Sequence, residues 1–291
     1  MTAMQSDVQF LGLVAQDDPT RFRFVVRDHL ARLDGRLYGG TAIAASIAVA
    51  ELVTGRAPLW MTTQFVATAP PDATITVAAE VLAEGGRASQ VRVTGSDDLG
   101  EVMFASLGAT GRLTDDLESA FFERPPEVDA PDEADAWEGP FRALTEQLGI
   151  DADPSWIPTE VGFHNALEFR RPRIHSHPDP GPGRICLWVR RCDGGPATPA
   201  IIAYMADLVP LSVSDALGVV ALGTSLDNTI RVGRAIETDW VLLDLRPHLA
   251  VGGFGHGAVH AWSTDGNLLA TAGQTAALRR FDASMLRLPP P

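Results

Sequence analysis

Apolar and polar residues alternate along much of this chain, and two runs that are apolar on all sides break the alternation. In Arg21-Phe22-Arg23-Phe24-Val25-Val26-Arg27 apolar and charged residues take turns, the short period of a half-buried strand. Leu37-Tyr38-Gly39-Gly40 then leads into small and apolar residues from 41 to 53. The length and alanine content of that run predict a buried helix rather than a strand, ended by Thr54-Gly55. Four strand-like pieces follow, at 62–68, 75–82, 87–95 and 101–108. Pro70-Pro71-Asp72, Glu84-Gly85-Gly86 and Asp97-Asp98-Leu99-Gly100 separate them as turns.

Residues 114–158 are acidic and punctuated by proline, as in Arg124-Pro125-Pro126-Glu127 and Asp151-Ala152-Asp153-Pro154. They read as a linker with one short helix near 141–148. The first pattern then returns: strands at 163–169 and 185–189, a small-residue helix at 199–208, and strands at 225–232, 238–245, 254–263 and 267–278. Gly85-Gly86-Arg87 is echoed by Gly252-Gly253-Phe254, and Asp98-Leu99-Gly100-Glu101 by Thr264-Asp265-Gly266-Asn267. A repeat of half a chain is too long for a solenoid and implies two copies of one domain. The expected class is α+β: in each copy a long antiparallel sheet curls around a helix that is apolar on most sides. Pairing the two sheets edge to edge removes two exposed edges.

Composition narrows the partners. A share of 45% hydrophobic residues in 291 suffices for a large core, and a net charge of −14 argues against nucleic acid or an anionic membrane surface. The longest apolar stretch, 42–52, is too short to span a bilayer, and residues 1–11 lack the basic and apolar stretches of a leader. Cys186 and Cys192 spell neither a metal spacing nor a disulfide framework, as suits free thiols in a reducing cytoplasm.

Among candidate chemical groups Asp207 stands out. It is the only charge between Asp193 and Asp215, on a helix expected to be enclosed, where a carboxylate is costly unless bonded. The alternative is an acid at a helix end, since Pro210 follows. His175-Ser176-His177 has chelating spacing but no obvious further ligands, and Gly253-Phe254-Gly255-His256-Gly257 precedes a strand, not the helix a dinucleotide loop needs. No metal or cofactor is expected. The chain contains no Gly-x-Ser-x-Gly elbow.

Gly162-Phe163-His164-Asn165, Ala203-Tyr204-Met205-Ala206-Asp207-Leu208, Ser225-Leu226-Asp227-Asn228, Thr264-Asp265-Gly266, Gln274 and, in the first half, Tyr38-Gly39-Gly40 occur in the order of a known pattern. On these residues the chain resembles the acyl-CoA thioesterase II family. The resemblance implies a double hotdog: an N-terminal module at 1–113, the linker at 114–158 and a C-terminal module at 159–291. It also implies hydrolysis of fatty acyl-CoA by a water held between Asp207, Ser225 and Gln274. Gly39 and Gly40 would then receive the thioester oxygen, and Arg231 and Arg234 would meet the CoA phosphates. A cytoplasmic homo-oligomer fits the same resemblance. The chain departs from the family at Asp227-Asn228-Thr229, where Asp-His-Ser is usual, and at Arg231-Val232-Gly233-Arg234-Ala235. These departures bear on acyl preference and keep open a non-catalytic acyl-CoA-binding protein. An enoyl-CoA hydratase would need an Asp/His pair, and Asp28-His29 is the only adjacent one. Aligning the halves sets Val49 against Asp207, Thr62 or Thr63 against Ser225, and Gly108 against Gln274. One centre per chain is therefore expected.

Overall fold

The computed structural model describes residues 2–32, 34–114, 120–137, 162–219, 221–233, 236 and 238–280. Arg234 and the helix expected near 141–148 lie outside these residues. A helix not foreseen, α1 (Ala3–Leu11), opens the chain behind a capping box between Thr2 and Gln5. Then come β1 (Val14–Ala15), β2 (Arg21–Val25), the central helix α2 (Gly39–Thr54), β3 (Ala57–Phe65), β4 (Thr74–Glu84), β5 (Ala88–Ser96) and β6 (Val102–Gly111). Two short strands, β7 (Glu127–Val128) and β8 (Asp135–Ala136), lie in the segment between the halves. The second half holds β9 (Leu167–Arg171), β10 (Ile174–Ser176), β11 (Ile185–Arg191), α3 (Pro199–Met205), α4 (Val209–Ala216), β12 (Ala221–Val232), β13 (Val241–Val251), β14 (Phe254–Ser263) and β15 (Leu268–Arg280).

Among the described residues, thirteen strands form one antiparallel sheet in the order β1-β2-β4-β5-β6-β3-β12-β15-β14-β13-β11-β9-β8. Outward from the β3–β12 junction the two halves have the same order, β3-β6-β5-β4-β2 and β12-β15-β14-β13-β11. This is the double hotdog expected, joined edge to edge. Every residue of α2 from Gly40 to Ala50 is buried, which explains a helix with no polar face. Alternate residues of the surrounding strands, such as Ile75 and Val77 or Leu243 and Leu245, complete the core, and α2 packs against α3.

The single long helix expected in the second module is a correction. Residues 199–208 do not form one helix: α3 ends at Met205, and α4 starts at Val209 after a break at Asp207-Leu208. Pro210 has no N–H to continue the ladder, but its fixed φ suits the first turn of a new helix. The described part of the segment between the halves is bound to the second sheet: β8 pairs with β9, β7 pairs with β10, and Trp188 Nε1 donates to Asp129 O at 2.9 Å.

Candidate active site

The break after α3 leaves Asp207 among three other elements. Its carboxylate is buried, and Oδ1 accepts from Ser225 Oγ at 3.3 Å, from Asn228 Nδ2 at 3.3 Å and from Gln274 Nε2 in a short bond. Gln274 Nε2 also reaches Ser225 Oγ at 2.7 Å. The Gln274 carbonyl accepts Val209 N–H at 3.1 Å, an amide that the helix break has freed. The structure thus brings Asp207, Ser225 and Gln274 within hydrogen-bond reach of one another and adds Asn228.

A β-bulge places Ser225 there. The β12–β15 register slips between Ser225 and Asp227, so Leu226 is the extra residue. Side chains three apart on a regular strand face opposite ways, yet Ser225 and Asn228 both reach Asp207. Thr275 N–H, opposite the bulge, donates instead to Asp227 Oδ1 at 2.8 Å. A matching slip on β3 falls between Pro58 and Trp60.

From the other half, the start of α2 closes on Asp207. Gly40 N–H donates to its carboxylate, and the Tyr38 hydroxyl donates to its backbone oxygen at 3.2 Å. A Cβ on residue 39 would fall inside the van der Waals surface of Asp207 Oδ2, and one on residue 40 inside that of Tyr204 O. Both glycines are therefore close-approach positions. Tyr38 stacks on Phe163 with ring centres 4.0 Å apart, which fixes its hydroxyl.

Burial pushes the Asp207 carboxyl up to about 7; the bonds from Asn228, Ser225 and Gly40 and the charge of Arg32 pull the other way without offsetting it. Burial, reinforced by Asp207, holds the Tyr38 phenol well above its ordinary range.

Arg231 is not brought to this cluster. It is exposed, neighbours the inward-facing Ile230, and lies over the Trp60 ring at 5.5 Å. The alignment of the halves also changes in part. The two bulges set Pro58, not Thr62 or Thr63, against Ser225. Counting from the N-caps Tyr38 and Thr198 sets Ile47, not Val49, against Asp207. Asn228 lies opposite Gln274 as Met61 lies opposite Gly108. The first half has no acid, hydroxyl or amide at any of these places.

Asn228 and Tyr38 are the residues that sequence reasoning missed. Both stood in motifs that carried the resemblance but were given no role, and no local signal reveals the bulge that gives Asn228 and Ser225 a common target.

His177 Nε2, Cys186 Sγ and an Asp244 oxygen lie within 4.8 Å of one another on the outer face of the second half. They do not suit a metal. His177 Nδ1 accepts Asp179 N–H at 3.0 Å, so in the neutral ring Nε2 carries the proton and donates it to Asp244 at 2.9 Å. Asp244 is further held by Arg246 at 2.8 Å, and burial pushes the Cys186 thiol far up. The Asp28-His29 pair is also occupied structurally: His29 Nε2 bonds Phe10 O at 2.8 Å, and Asp28 is exposed.

Comparison with known proteins adds the following. A family model for the acyl-CoA thioesterase N-terminal domain matches residues 27–110, and one for the acyl-CoA thioesterase C-terminal domain matches 124–278. No curated protein matches by sequence. Among solved structures, a candidate thioesterase from Novosphingobium aromaticivorans is similar at 28% identity with a TM-score of 0.78, over 92% of this chain and 98% of that one. A hot dog fold protein of unknown function from Alicyclobacillus acidocaldarius is similar at 19% identity with a TM-score of 0.75, over 97% and 100%. The acyl-CoA thioesterase II TesB2 of Mycobacterium marinum is similar at 18% identity with a TM-score of 0.71, over 95% and 99%.

Proposed function

The chain belongs to the acyl-CoA thioesterase family, and from that premise we propose that it hydrolyses the thioester of fatty acyl-CoA at one centre, built on Asp207. The observation that carries this reading is a buried carboxylate, pushed up to about 7, held by Ser225, Asn228 and Gln274 at the start of a helix from the other half. A base with that acidity is matched to neutral pH, where it is partly ionised and still strong enough to take a proton. Water attacks the thioester carbonyl carbon while Asp207 accepts its proton. The start of α2 at Gly39 stabilises the oxyanion, while Gly40 N–H donates to the Asp207 carboxylate. The C–S bond then breaks, and the proton passes from Asp207 to the sulfur, giving free acid and CoA. No residue forms a covalent intermediate.

A panel of acyl-CoAs of increasing chain length, read by free-thiol release, tests the proposal. We expect release matched by an equal amount of free acid. Binding of acyl-CoA without release across the panel would replace hydrolysis with the non-catalytic reading.

A further inference from the structure

We propose that the two carboxylate oxygens of Asp207 have separate duties, Oδ1 as a fixed anchor and Oδ2 as the base, and that Asn228 is the positioning residue that keeps them apart. The proposal rests on the hydrolytic reading above and deepens it.

A carboxylate oxygen presents about two lone pairs. Oδ1 already meets three donors, Ser225 Oγ, Asn228 Nδ2 and Gln274 Nε2. It has no capacity left for a proton from water. Oδ2 has a different outlook. Among the described residues no side chain donates to it, and it lies against the start of α2: a Cβ on residue 39 would fall inside its van der Waals surface and 3.1 Å from Phe65 Cζ. Gly39 therefore lets the start of α2, whose Gly40 N–H donates to the carboxylate, come up against the oxygen that no described side chain binds.

Asn228 differs from the other two donors. Ser225 and Gln274 bond each other at 2.7 Å, so either can hold its place through its neighbour. The side-chain bond of Asn228 goes to Asp207, and at 1% exposure no solvent can substitute for it. Its amide nitrogen can only donate. It therefore favours the ionised carboxylate and does not compete as a base, as an imidazole at this position could. The charged and titratable groups that act on Asp207 from neighbouring elements are Arg32, from the turn before α2, and the Tyr38 phenol at the α2 N-cap. From β12, Asp227 is engaged by Thr275 N–H; Ser225, Asn228 and Gln274 are neutral.

The test measures Asp207 directly. In protein labelled with 13C at aspartate carboxyls, the resonance lost in Asp207→Asn identifies the group, and its midpoint is followed in Asn228→Ala and in Asn228→Leu, which keeps the volume without the donor. We expect the midpoint to rise by about one pH unit, the scale of one lost hydrogen bond to a charged group. The acid limb of kcat should move with it, and activity should recover to within about threefold of wild type once pH exceeds the new midpoint. An unmoved midpoint, with kcat lowered equally at every pH, would reduce Asn228 to a packing residue and overturn the proposal. A wild-type chain that released no thiol from any acyl-CoA would sink the hydrolytic reading instead; the resonance would still show whether Asn228 anchors the carboxylate.

Discussion

Asp207 and Asp7 are both buried, both pushed up to about 7, and each lies against the start of one of the central helices. Asp207 meets α2 through Gly40 N–H; Asp7 meets α3 through the N-cap hydroxyl of Thr198, which donates to its Oδ1 at 2.7 Å. Their surroundings differ. Asp207 has three side-chain donors on one oxygen and a closely approaching glycine against the other. Asp7 sits on α1, whose Phe10 and Leu11 are also buried, and faces a helix that begins Pro199-Ala200. Glu51 pushes Asp7 further up, while Arg191, which bonds Ser6 Oγ at 2.8 Å and lies over the Phe10 ring, pulls it down. A raised carboxyl thus reports burial in both places. The arrangement of donors, three side chains gathered on one oxygen, separates a candidate base from a structural acid.

The largest contrast should appear in turnover. Asp207→Asn keeps the shape and the acceptor for the three donors but removes the base, so acyl-CoA hydrolysis should fall by about 10²-fold or more. Asp7→Asn should leave kcat within about threefold of wild type, since it lies outside the proposed reacting groups. Steady-state thiol release from both variants checks this. Equal losses would erase the distinction between the two acids.

Stability against pH sharpens the comparison from the other side. Asp7 is raised from 3.8 to about 7 in the folded chain. Between those values the folded state holds a proton that the unfolded chain has given up, so this contribution is full below about pH 4 and is lost as pH rises through 7. Asp7→Asn removes the titration. It should flatten the decline, leaving the variant more stable than wild type at pH 8 by roughly 2 kcal/mol and near parity at pH 4. Urea midpoints at the two pH values measure it. A wild type that gains stability from pH 5 to 8 more steeply than the variant would show the opposite sign.

These contrasts also mark how far the sequence could be read. Alternation and turn residues exposed the strands and the duplication because each strand of the hotdog has one face on the core. Asp207 was visible as a lone charge in an apolar run. The α1 capping box, Thr2 with Gln5, went unread, and so did the place of that helix beside α3. Three features depended on tertiary contacts. The break at Asp207-Leu208 is stable because Gln274, 65 residues from Val209, accepts the freed amide. The bulge at Leu226 is held by the Asp227–Thr275 bond across strands. Asn228 becomes a partner of Asp207 only through that bulge. Local propensity carries none of this information, because a bulge and a helix break are settled by what lies opposite them.

The smallest effect tests the close approach of Gly39 to Asp207. Gly39 has no positive φ, so its backbone does not require glycine. Alanine there should favour the helix by about 0.5–1 kcal/mol. Its methyl would nevertheless press on Asp207 Oδ2 and lie 3.1 Å from Phe65 Cζ. The carboxylate is anchored at Oδ1, so the adjustment falls on Oδ2 and on any water beside it. Gly39→Ala should therefore lose less stability than Gly40→Ala and turn over roughly tenfold more slowly, the cost of a misplaced reacting group. Gly40→Ala is the control, because its methyl meets the backbone oxygen of Tyr204, which cannot turn aside, and the loss should show as a lower Tm. At the start of α3 the chain already carries Pro199-Ala200, and Ala200→Gly should change neither the rate nor its pH profile. Thermal melts and kcat measured on the same preparations of the three variants decide the point. A Gly39→Ala enzyme with wild-type kcat would mean that pressing on Oδ2 is harmless, and that the base acts from elsewhere on the carboxylate.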